Sequence, residues 1–319
     1  LVEQMAEKVG VPVKDIVGNA EAVKAIKVDE FLSDEVGKAT LDDIVKELQK
    51  PGRDPRDDLP APILRTDVLE LKEEKIKGQN IPLDIIFEDN ELLVINKPKN
   101  MLTHPTAHNR ENTLVNALLA YLGENLSDVG GELRRGIVHR LDKNTAGLIL
   151  VAKTNEAHKN LQEQIKEKTA RRKYVAISLG NLDTKEGILN FPIAKNLGDT
   201  VKMFVPKNPE EGSFAITNYK VLESFNGADF IELELKTGRT HQIRVHMSHI
   251  NHPIFGDSLY GADSFRKFAK IKTTEQVLQS YFISFTHPKT GETMEFELQQ
   301  EKWDEDIKKV LKILRSETK

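Results

Sequence analysis

The spacing of hydrophobic residues changes along the chain and divides it into two regions. In residues 1–50, apolar positions recur three and four apart, the spacing of short amphipathic helices. Asn19 and Thr40 precede two such stripes as expected helix caps, and Pro51-Gly52 ends the second helix. Residues 51–80 are rich in proline and charge. We therefore expect a small all-α segment at 1–50, followed by an extended linker at 51–80.

From residue 81 onward, the pattern is one of short strands with a few helices between them. Strands are expected at 85–87, 92–95, 148–151, 174–179, 230–235, 281–285 and 294–298, and helices at 113–122, with Thr113 as cap, 155–166, 240–250 and 303–314. Strands outnumber helices and hairpin-like spacings dominate. We therefore expect an α+β domain over 81–319, with a largely antiparallel mixed sheet flanked by helices and loops.

Composition is that of an ordinary soluble protein. The chain has 319 residues, 39% of them hydrophobic and 30% charged, enough for roughly two domains. No apolar run of about 18 residues is present and no signal peptide is visible at the start, so neither a membrane span nor secretion is expected. Cysteine is absent, which excludes disulfides and thiolate metal sites. These features fit a cytoplasmic location.

The net charge of −4 is unevenly distributed. Residues 1–80 hold 13 Lys and Arg against 18 Asp and Glu, whereas the remaining residues hold 33 against 32. A near-neutral domain can still bind nucleic acid if its cations cluster on one face. Net charge therefore neither supports nor excludes an RNA partner.

The densest polar cluster lies in GIVHRLDKNTAGLILVAK, residues 136–153. Between two apolar runs it holds His139, Arg140, Asp142, Lys143, Asn144 and Thr145. Asp142, between an arginine and a lysine, is expected to stay ionised, as a functional carboxylate requires. A polar turn joining two strands explains the same residue types equally well.

A second cluster, RRKY at residues 171–174, follows Lys166 and Lys168. It could be the solvated end of a helix, where cations meet the negative end of the helix dipole. Alternatively, it could be a track for phosphates, with Tyr174 placed to stack on an unpaired base. Since Tyr174 begins an apolar strand, a plain core tyrosine is the competing interpretation.

Four histidines, His241, His246, His249 and His252, raise the question of a metal site. A zinc pair on one helix requires histidines four apart with a nearby acid. His241 and His246 are five apart with no Glu between them, and only His246 and His249 could share a helix face. With no cysteine and no supporting acid, we expect hydrogen-bonded or solvated histidines and no metal.

Taken together, the motifs HRLDKNTAGL, RKYVA and TGRTHQIRVH resemble those of the RluA family of pseudouridine synthases. VINKP at 94–98, HP at 104–105 and HPIFGD at 252–257 agree as well. The resemblance covers about 81–298 and is closest to the branch that modifies large-subunit ribosomal RNA. It implies the pseudouridine synthase fold and the isomerisation of uridine to pseudouridine in structured RNA, with no cofactor or metal.

The resemblance also implies roles for individual residues. Asp142 would be the catalytic aspartate, acting as nucleophile or as base, with Arg244 as its counter-charge. Tyr174 would stack on the flipped uracil, and Ile243 would form an apolar wall of the pocket. The expected RNA-binding residues are His139, Arg140, Lys143, Arg171, Arg172, Lys173, Arg239 and His241.

The N-terminal segment, from about residue 1 to residue 71, resembles the helix-hairpin-helix region of the Tex family of transcription accessory proteins. In that family an RNA-binding barrel follows, which the sequence here lacks. Many members of the synthase branch carry a small RNA-binding module in this place instead. The segment therefore affects the choice of substrate more than the chemistry. The sequence does not determine whether the protein has a protein partner.

Two other functions fit part of the pattern. A non-catalytic RNA-binding or transcription-associated adaptor would keep the synthase fold for binding only, without a need for Asp142. A glycoside hydrolase would need two carboxylates flanking one bond. Asp257 is the nearest candidate for the second acid, and we expect it to cap a turn instead.

Overall fold

The computed structural model describes residues 75–106, 109–123, 125–196, 202–261, 268, 271–273 and 275–317. Except for Lys75, these residues belong to one compact unit, Ile76–Lys319. The helical segment expected at 1–50 and the linker residues 51–74 lie outside the described residues. None of the described helices combines the length and apolar character that a membrane crossing needs.

The described residues contain four α-helices and eleven strands. The helices are α1 (Leu114–Leu122), α2 (Asn155–Lys166), α3 (Gln242–His249) and α4 (Glu305–Glu317). The strands are β1 (Ile85–Glu88), β2 (Leu92–Lys97), β3 (Ala146–Ala152), β4 (Arg171–Leu179), β5 (Glu186–Asn190), β6 (Ala194–Lys195), β7 (Met203–Phe204), β8 (Ile216–Phe225), β9 (Ala228–Leu235), β10 (Leu278–Thr286) and β11 (Thr293–Glu297). Short 3₁₀ turns lie at Glu132–Arg134, Pro209–Glu211 and Gln300–Lys302.

Nine of the described strands form one sheet in the order β1-β2-β3-β10-β4-β9-β8-β5, with β11 paired to β10. Every pairing is antiparallel except that of β3 with β10, where Gln279 lies opposite Ala146. The expected α+β class and the largely antiparallel mixed sheet are therefore confirmed. The parallel pair joins segments far apart in the chain at the centre of the sheet, beside the loop that carries Asp142.

Side-chain alternation on β4 separates two packing layers. Tyr174 and Ala176 belong to the cluster that packs on α1 and α3. Val175 and Ile177, on the other face, belong to the cluster that packs on α4. Alternate residues of a strand point to opposite faces of the sheet. This alternation decides which of the basic residues at the start of β4 can face the same side as Tyr174.

Most expected elements form within a few residues of their predicted bounds, and Thr113 caps α1 through a capping box with Asn116. The sequence pattern did not indicate β5 and β8, whose exposed and buried residues alternate imperfectly. Helix α3 begins two residues later than expected, because His241 has a left-handed backbone with φ of 54°.

Residues 76–80, which the sequence assigns to the linker, pack on α1. The Gln79 N–H donates to the Asn116 carbonyl at 2.8 Å, and Asn116 Nδ2 donates to the Lys77 carbonyl at 2.8 Å. Ile76 is buried in the α1 cluster. These contacts make the last residues of the expected linker part of the folded unit.

Replacing Gly147 with alanine should strongly destabilise the domain. Its φ is 115°, and a Cβ there would lie 1.9 Å from the Ser280 carbonyl oxygen, where β3 meets β10. We expect the free energy of unfolding in urea to fall by about 3 kcal/mol or more. Gly291→Ala is the control, since Gly291 has φ of 75° but no neighbour within 4 Å, and should cost about 1 kcal/mol. Equal losses in the two variants would contradict the close approach of the strands.

Candidate active site

The loop that carries Asp142, residues 139–145, is a turn between the segment containing Ile137 and strand β3. Ile137 makes an isolated bridge with Val151, and the Thr145 N–H closes the turn on the Asp142 carbonyl at 3.0 Å. The turn interpretation of this stretch is thus correct for its backbone. Its side chains nevertheless line a cavity, so the two interpretations are not exclusive.

Side chains from the preceding segment hold the backbone on both sides of Asp142. The Thr103 hydroxyl donates to the Leu141 carbonyl at 2.7 Å and accepts the Leu141 N–H at 3.2 Å. Lys97 Nζ donates to the Lys143 carbonyl at 3.3 Å. A loop without regular secondary structure gains a defined conformation when its polar backbone groups are bonded in this way.

Lys97 is fully buried, which is rare for lysine. Besides Lys143, its Nζ donates to the carbonyls of Pro98 at 2.8 Å and Met101 at 2.9 Å. Burial lowers the pKa of Lys97 to about 7, and the nearby charge of Asp142 opposes this shift. The lysine in VINKP therefore supports the Asp142 loop from within the core.

Arg244 joins Asp142 to a second carboxylate that the sequence did not assign to the site. Its Nη1 donates to Asp142 Oδ2 at 3.3 Å. Its Nε and Nη2 donate to the two oxygens of Asp257 at 2.7 and 2.9 Å, a bidentate pair on a fully buried carboxylate. Burial works against the charge of Arg244, but these bonds outweigh it and raise the pKa of Arg244.

Asp257 also caps a turn, as expected, accepting the N–H groups of Leu259 and Tyr260 at 3.1 Å each. The ring of Tyr260 lies 5.0 Å from the Arg244 guanidinium carbon, and its hydroxyl is hydrogen-bonded to His241 Nδ1 at 2.8 Å. No local sequence pattern indicates that Asp257 pairs with Arg244 or that the ring of Tyr260 lies against it. Asp257 is the last residue of the HPIFGD motif and Tyr260 follows it by three residues, and only this position could have suggested their roles.

The side chain of Asp142 remains 19% exposed and points at the cavity. His241 Nε2 lies 3.9 Å from its Oδ2, and burial lowers the pKa of His241 against the opposing charge of Asp142. Tyr174, 4% exposed, lines the same cavity, and burial raises its pKa, so the phenol keeps its proton. The structure thus brings Asp142, Arg244 and Tyr174 together from three distant segments.

The cavity has a volume of about 610 Å³, within the range that accommodates a small ligand or a nucleotide. Its wall includes Ile243, the residue that we predicted to form an apolar side of the pocket. Among the described residues that line it, Asp142 is the one acidic residue. The basic residues that line it are Arg140, Lys166, Lys168, Arg172, Lys236, Arg239 and Arg244. The cavity is therefore electropositive although the whole chain is acidic.

The predicted RNA-binding residues divide into two groups. His139, Arg140, Arg172, Arg239 and His241 line the cavity, whereas Lys143, Arg171 and Lys173 do not. Arg171 and Lys173 lie on the opposite face of β4 from Arg172. There, Arg171 Nε is 3.1 Å from Glu234 and Lys173 Nζ is 3.2 Å from Glu232, both on β9. Residues 171–173 therefore do not form a continuous track for phosphates, because neighbouring residues of the strand face opposite sides of the sheet.

His139 is held by the backbone of β3. Its Nε2 accepts the Leu150 N–H at 3.0 Å, which places the ring proton on Nδ1. Burial and the neighbouring charge of Arg172 lower the pKa of His139 to about 3. His139 is therefore a neutral hydrogen-bond donor at pH 7 and not a cation.

Of the other three histidines that raised the question of a metal site, two are used in hydrogen bonds, and His249 packs its ring on Phe191. His246 is bonded to the Thr217 hydroxyl and to the Phe191 carbonyl, and His252 to the Leu179 carbonyl. Within the described part of the chain, no group of three or more His, Asp or Glu side chains is arranged to hold a metal ion.

The sequence pattern also missed an aromatic residue at the mouth of the cavity. Phe214 is 50% exposed, and Lys168 Nζ lies 5.2 Å from the centre of its ring. Arg239 Nε donates to the Phe214 carbonyl at 3.0 Å. An exposed ring among cations is suited to stacking on an unpaired base. A single phenylalanine outside any motif carries no signal of this placement.

Thr103→Val should loosen the Asp142 loop without changing the shape of the side chain. The variant leaves the Leu141 N–H and carbonyl without their partner, so we expect a loss of about 2 kcal/mol in the free energy of unfolding. Hydrogen exchange of the Leu141 amide should accelerate. Thr103→Ser keeps the hydroxyl and should retain slow exchange. Fast exchange in both variants would show that the hydroxyl does not hold the loop.

Wild-type protein should gain stability relative to Lys97→Met as the pH rises above 7. In the folded state Lys97 loses its proton near pH 7, whereas the unfolded chain keeps it up to the ordinary value of 10.5. Since the unfolded state binds more protons between these values, stability rises with pH across that window. Urea unfolding of both proteins from pH 6 to pH 10 measures the difference. If the difference in the free energy of unfolding stayed constant with pH, Lys97 would remain protonated among its three carbonyl partners.

Comparison with known proteins adds family information to this geometry. Residues 91–249 match the RNA pseudouridylate synthase family, and residues 1–56 match the HHH domain. The second match agrees with the helix-hairpin-helix resemblance of the N-terminal segment.

An uncharacterized RNA pseudouridine synthase of Synechocystis sp. is 38% identical over 285 residues, covering 86% of each chain. The ribosomal large subunit pseudouridine synthase D of Zymomonas mobilis is 40% identical over 239 residues, covering 74% of each chain. Among solved structures, human RNA pseudouridylate synthase domain containing 1 shares the fold, with a TM-score of 0.56 at 22% identity over 75% of this chain and 97% of that one. The chain belongs to the RNA pseudouridine synthase family, whose members isomerise uridine to pseudouridine.

Proposed function

We propose that this protein isomerises a uridine of large-subunit ribosomal RNA and that Asp142 is its catalytic carboxylate. The observation that carries the proposal is a partly exposed aspartate at the wall of an electropositive cavity, held by Arg244 and accompanied by Tyr174. The ribosomal substrate rests on relatives such as the ribosomal large subunit pseudouridine synthase D of Zymomonas mobilis. A ribosomal substrate also implies action in the cytoplasm.

The reaction needs no redox partner, because atoms are only rearranged. The bond between N1 of uracil and C1′ of ribose breaks, and a bond between C5 and C1′ forms. The proton on C5 is lost and N1 gains one. An ionised carboxylate can start this sequence either by attacking C1′ or by removing a proton from the sugar. The position of Asp142 at the cavity wall suits both routes.

Arg244 supports this role of Asp142 in two ways. A positive charge 3.3 Å from the carboxylate oxygen partly balances its negative charge. Because Asp257 fixes the guanidinium from the other side, the Nη1 that faces Asp142 has a defined position. Arg244 therefore positions the carboxylate and neutralises part of its charge.

The target uridine has to leave its stack to reach Asp142, at a cost of a few kcal/mol. Tyr174, a neutral phenol in the cavity wall, is placed to stack on the extruded uracil and offset part of this cost. Arg140 is exposed at the mouth of the cavity. It is suited to fill the space that the base leaves in the stack or to bind the neighbouring phosphates. Arg239 and His241 line the same cavity.

The two rival functions account for less of the geometry. A glycoside hydrolase needs a second carboxylate at the bond that breaks, but both oxygens of Asp257 are occupied by Arg244 and it is fully buried. An RNA-binding adaptor has no need of a carboxylate facing the phosphates of its ligand. The Asp142 site thus favours catalysis over binding alone.

For the domain organisation, we infer that the HHH segment adds RNA contacts that influence substrate choice. It precedes a catalytic domain whose motifs are complete, in the position where many relatives carry another RNA-binding module. We propose a helical segment at 1–50, a linker after it and a catalytic domain that begins at Ile76 and not at residue 81, because residues 76–80 pack on α1. Repeating the assay below on a chain without residues 1–75 separates the two contributions.

Asp142→Asn should abolish the release of tritium from large-subunit ribosomal RNA labelled at carbon 5 of uracil. Since the amide can neither attack the sugar nor accept its proton, the rate should fall by about a hundredfold or more. Asp183→Asn, an exposed aspartate outside the cavity lining, should behave like wild type.

Equal release by wild type and Asp142→Asn would refute the role of the aspartate. If the wild-type protein released no label from any cellular RNA but bound RNA with an affinity independent of Asp142, the adaptor function would replace the enzymatic one.

A further inference from the structure

The first three residues of β4 are all basic, but only the middle one faces the cavity. Arg171 and Lys173 point to the opposite face of the sheet and pair with Glu234 and Glu232. Arg172 lies on the face of Tyr174 and lines the cavity. The strand thus places one cation of three where a ligand can reach it.

Arg172 is a cation in a buried position. Its side chain is only 4% exposed, and no carboxylate of the described residues pairs with it. Its Nε is buried and has no hydrogen-bond partner in the described part of the chain. A Cβ placed on Gly238 would lie 3.2 Å from Arg172 Nη1, so the guanidinium packs against the bare backbone of the cavity wall.

This arrangement is unfavourable for the protein alone. Removing a charge from water is costly unless an opposite charge and hydrogen bonds compensate for it. A buried polar group left without a partner is uncommon in native structures and calls for an explanation. Because Arg172 lines the cavity, its missing partner can arrive with the substrate.

A second unpartnered donor lies close enough to Arg172 for the charge of the guanidinium to lower its pKa. His139 uses Nε2 to accept the Leu150 N–H, so its proton is on Nδ1, which is buried and has no partner among the described residues. His139 lines the same cavity as Arg172. Two donors, one of them charged, therefore await an acceptor in the wall that also holds Asp142.

The acceptor should be an anion, since only a full negative charge compensates for a buried guanidinium. The one carboxylate among the lining residues, Asp142, is already bonded to Arg244. The carbonyl groups of uracil are neutral, and the charged group of an RNA chain is its phosphodiester. Guanidinium groups bind phosphate oxygens through two parallel hydrogen bonds.

We propose that Arg172, together with the Nδ1–H of His139, binds a phosphodiester group of the nucleotide whose uridine is turned into the cavity. The fold leaves Arg172 unpaired so that the RNA supplies its counter-ion, which couples completion of the site to substrate entry. This inference rests on the proposed function in that the ligand is RNA. It assigns a phosphate subsite distinct from the uracil and ribose contacts of Tyr174 and Asp142.

The test compares Arg172→Met with wild type in binding, catalysis and stability. With a single-stranded oligouridylate as probe, the slope of log Kd against log salt should fall by about 0.7, the loss of one phosphate contact. Release of tritium should decrease at least tenfold in kcat/KM. The urea midpoint should stay the same or rise, because the methionine removes an uncompensated buried charge.

Two further variants keep the result interpretable. Arg172→Lys retains the charge and should recover most of the salt slope, but less of the affinity, because it cannot form the paired hydrogen bonds. Arg315→Met breaks an exposed ion pair with Glu223 away from the cavity and should leave binding and catalysis unchanged.

A clear drop in the urea midpoint of Arg172→Met would show that Arg172 is a structural residue and would overturn the proposal. An unchanged slope of log Kd against log salt would also overturn the proposal. These two readouts use binding and unfolding alone. If instead the wild-type protein released no tritium from ribosomal RNA, the proposed function would fail while the salt slope and the urea midpoint still decided the role of Arg172.

Discussion

A single buried guanidinium, that of Arg244, holds the site together. Its bidentate pair with Asp257 satisfies one side of the group, and the remaining Nη1 meets Asp142. Without Asp257, Arg244 would be a buried charge held only by a partly exposed carboxylate, and without Arg244, Asp257 would be fully buried and unpaired. The three charges are therefore mutually dependent, and the position of Asp142 follows from a pair that lies beneath it.

The backbone around Asp142 is fixed in a similar way, by side chains from outside the loop. Thr103 occupies both polar groups of Leu141, and Lys97 reaches the Lys143 carbonyl from a fully buried position. The parallel contact of β3 with β10 continues this support into the centre of the sheet. A short loop thus carries a carboxylate with a defined direction, as catalytic positioning requires.

The positive potential of the cavity depends on which cations are paired with glutamates, and not on the net charge of the chain. On β4, the glutamates of β9 pair with Arg171 and Lys173, which face away from the cavity. Arg172 faces the cavity and has no such partner among the described residues. The lining therefore concentrates basic groups around one aspartate in a chain whose net charge is −4. Such local fields attract a polyanion at the site without making the whole surface basic.

The sequence by itself determined the elements with strong local periodicity, such as β3, β9, α1 and α2, because spacing and capping act within a few residues. Motif order alone was sufficient to place the chain in its family. Tertiary structure decided the rest: the pairing of Arg244 with Asp257, the inward direction of Arg172, and Phe214 at the cavity mouth. Alternation shows that neighbours on β4 face opposite sides, but only the packing of α1, α3 and α4 on the two faces decides which side becomes the cavity.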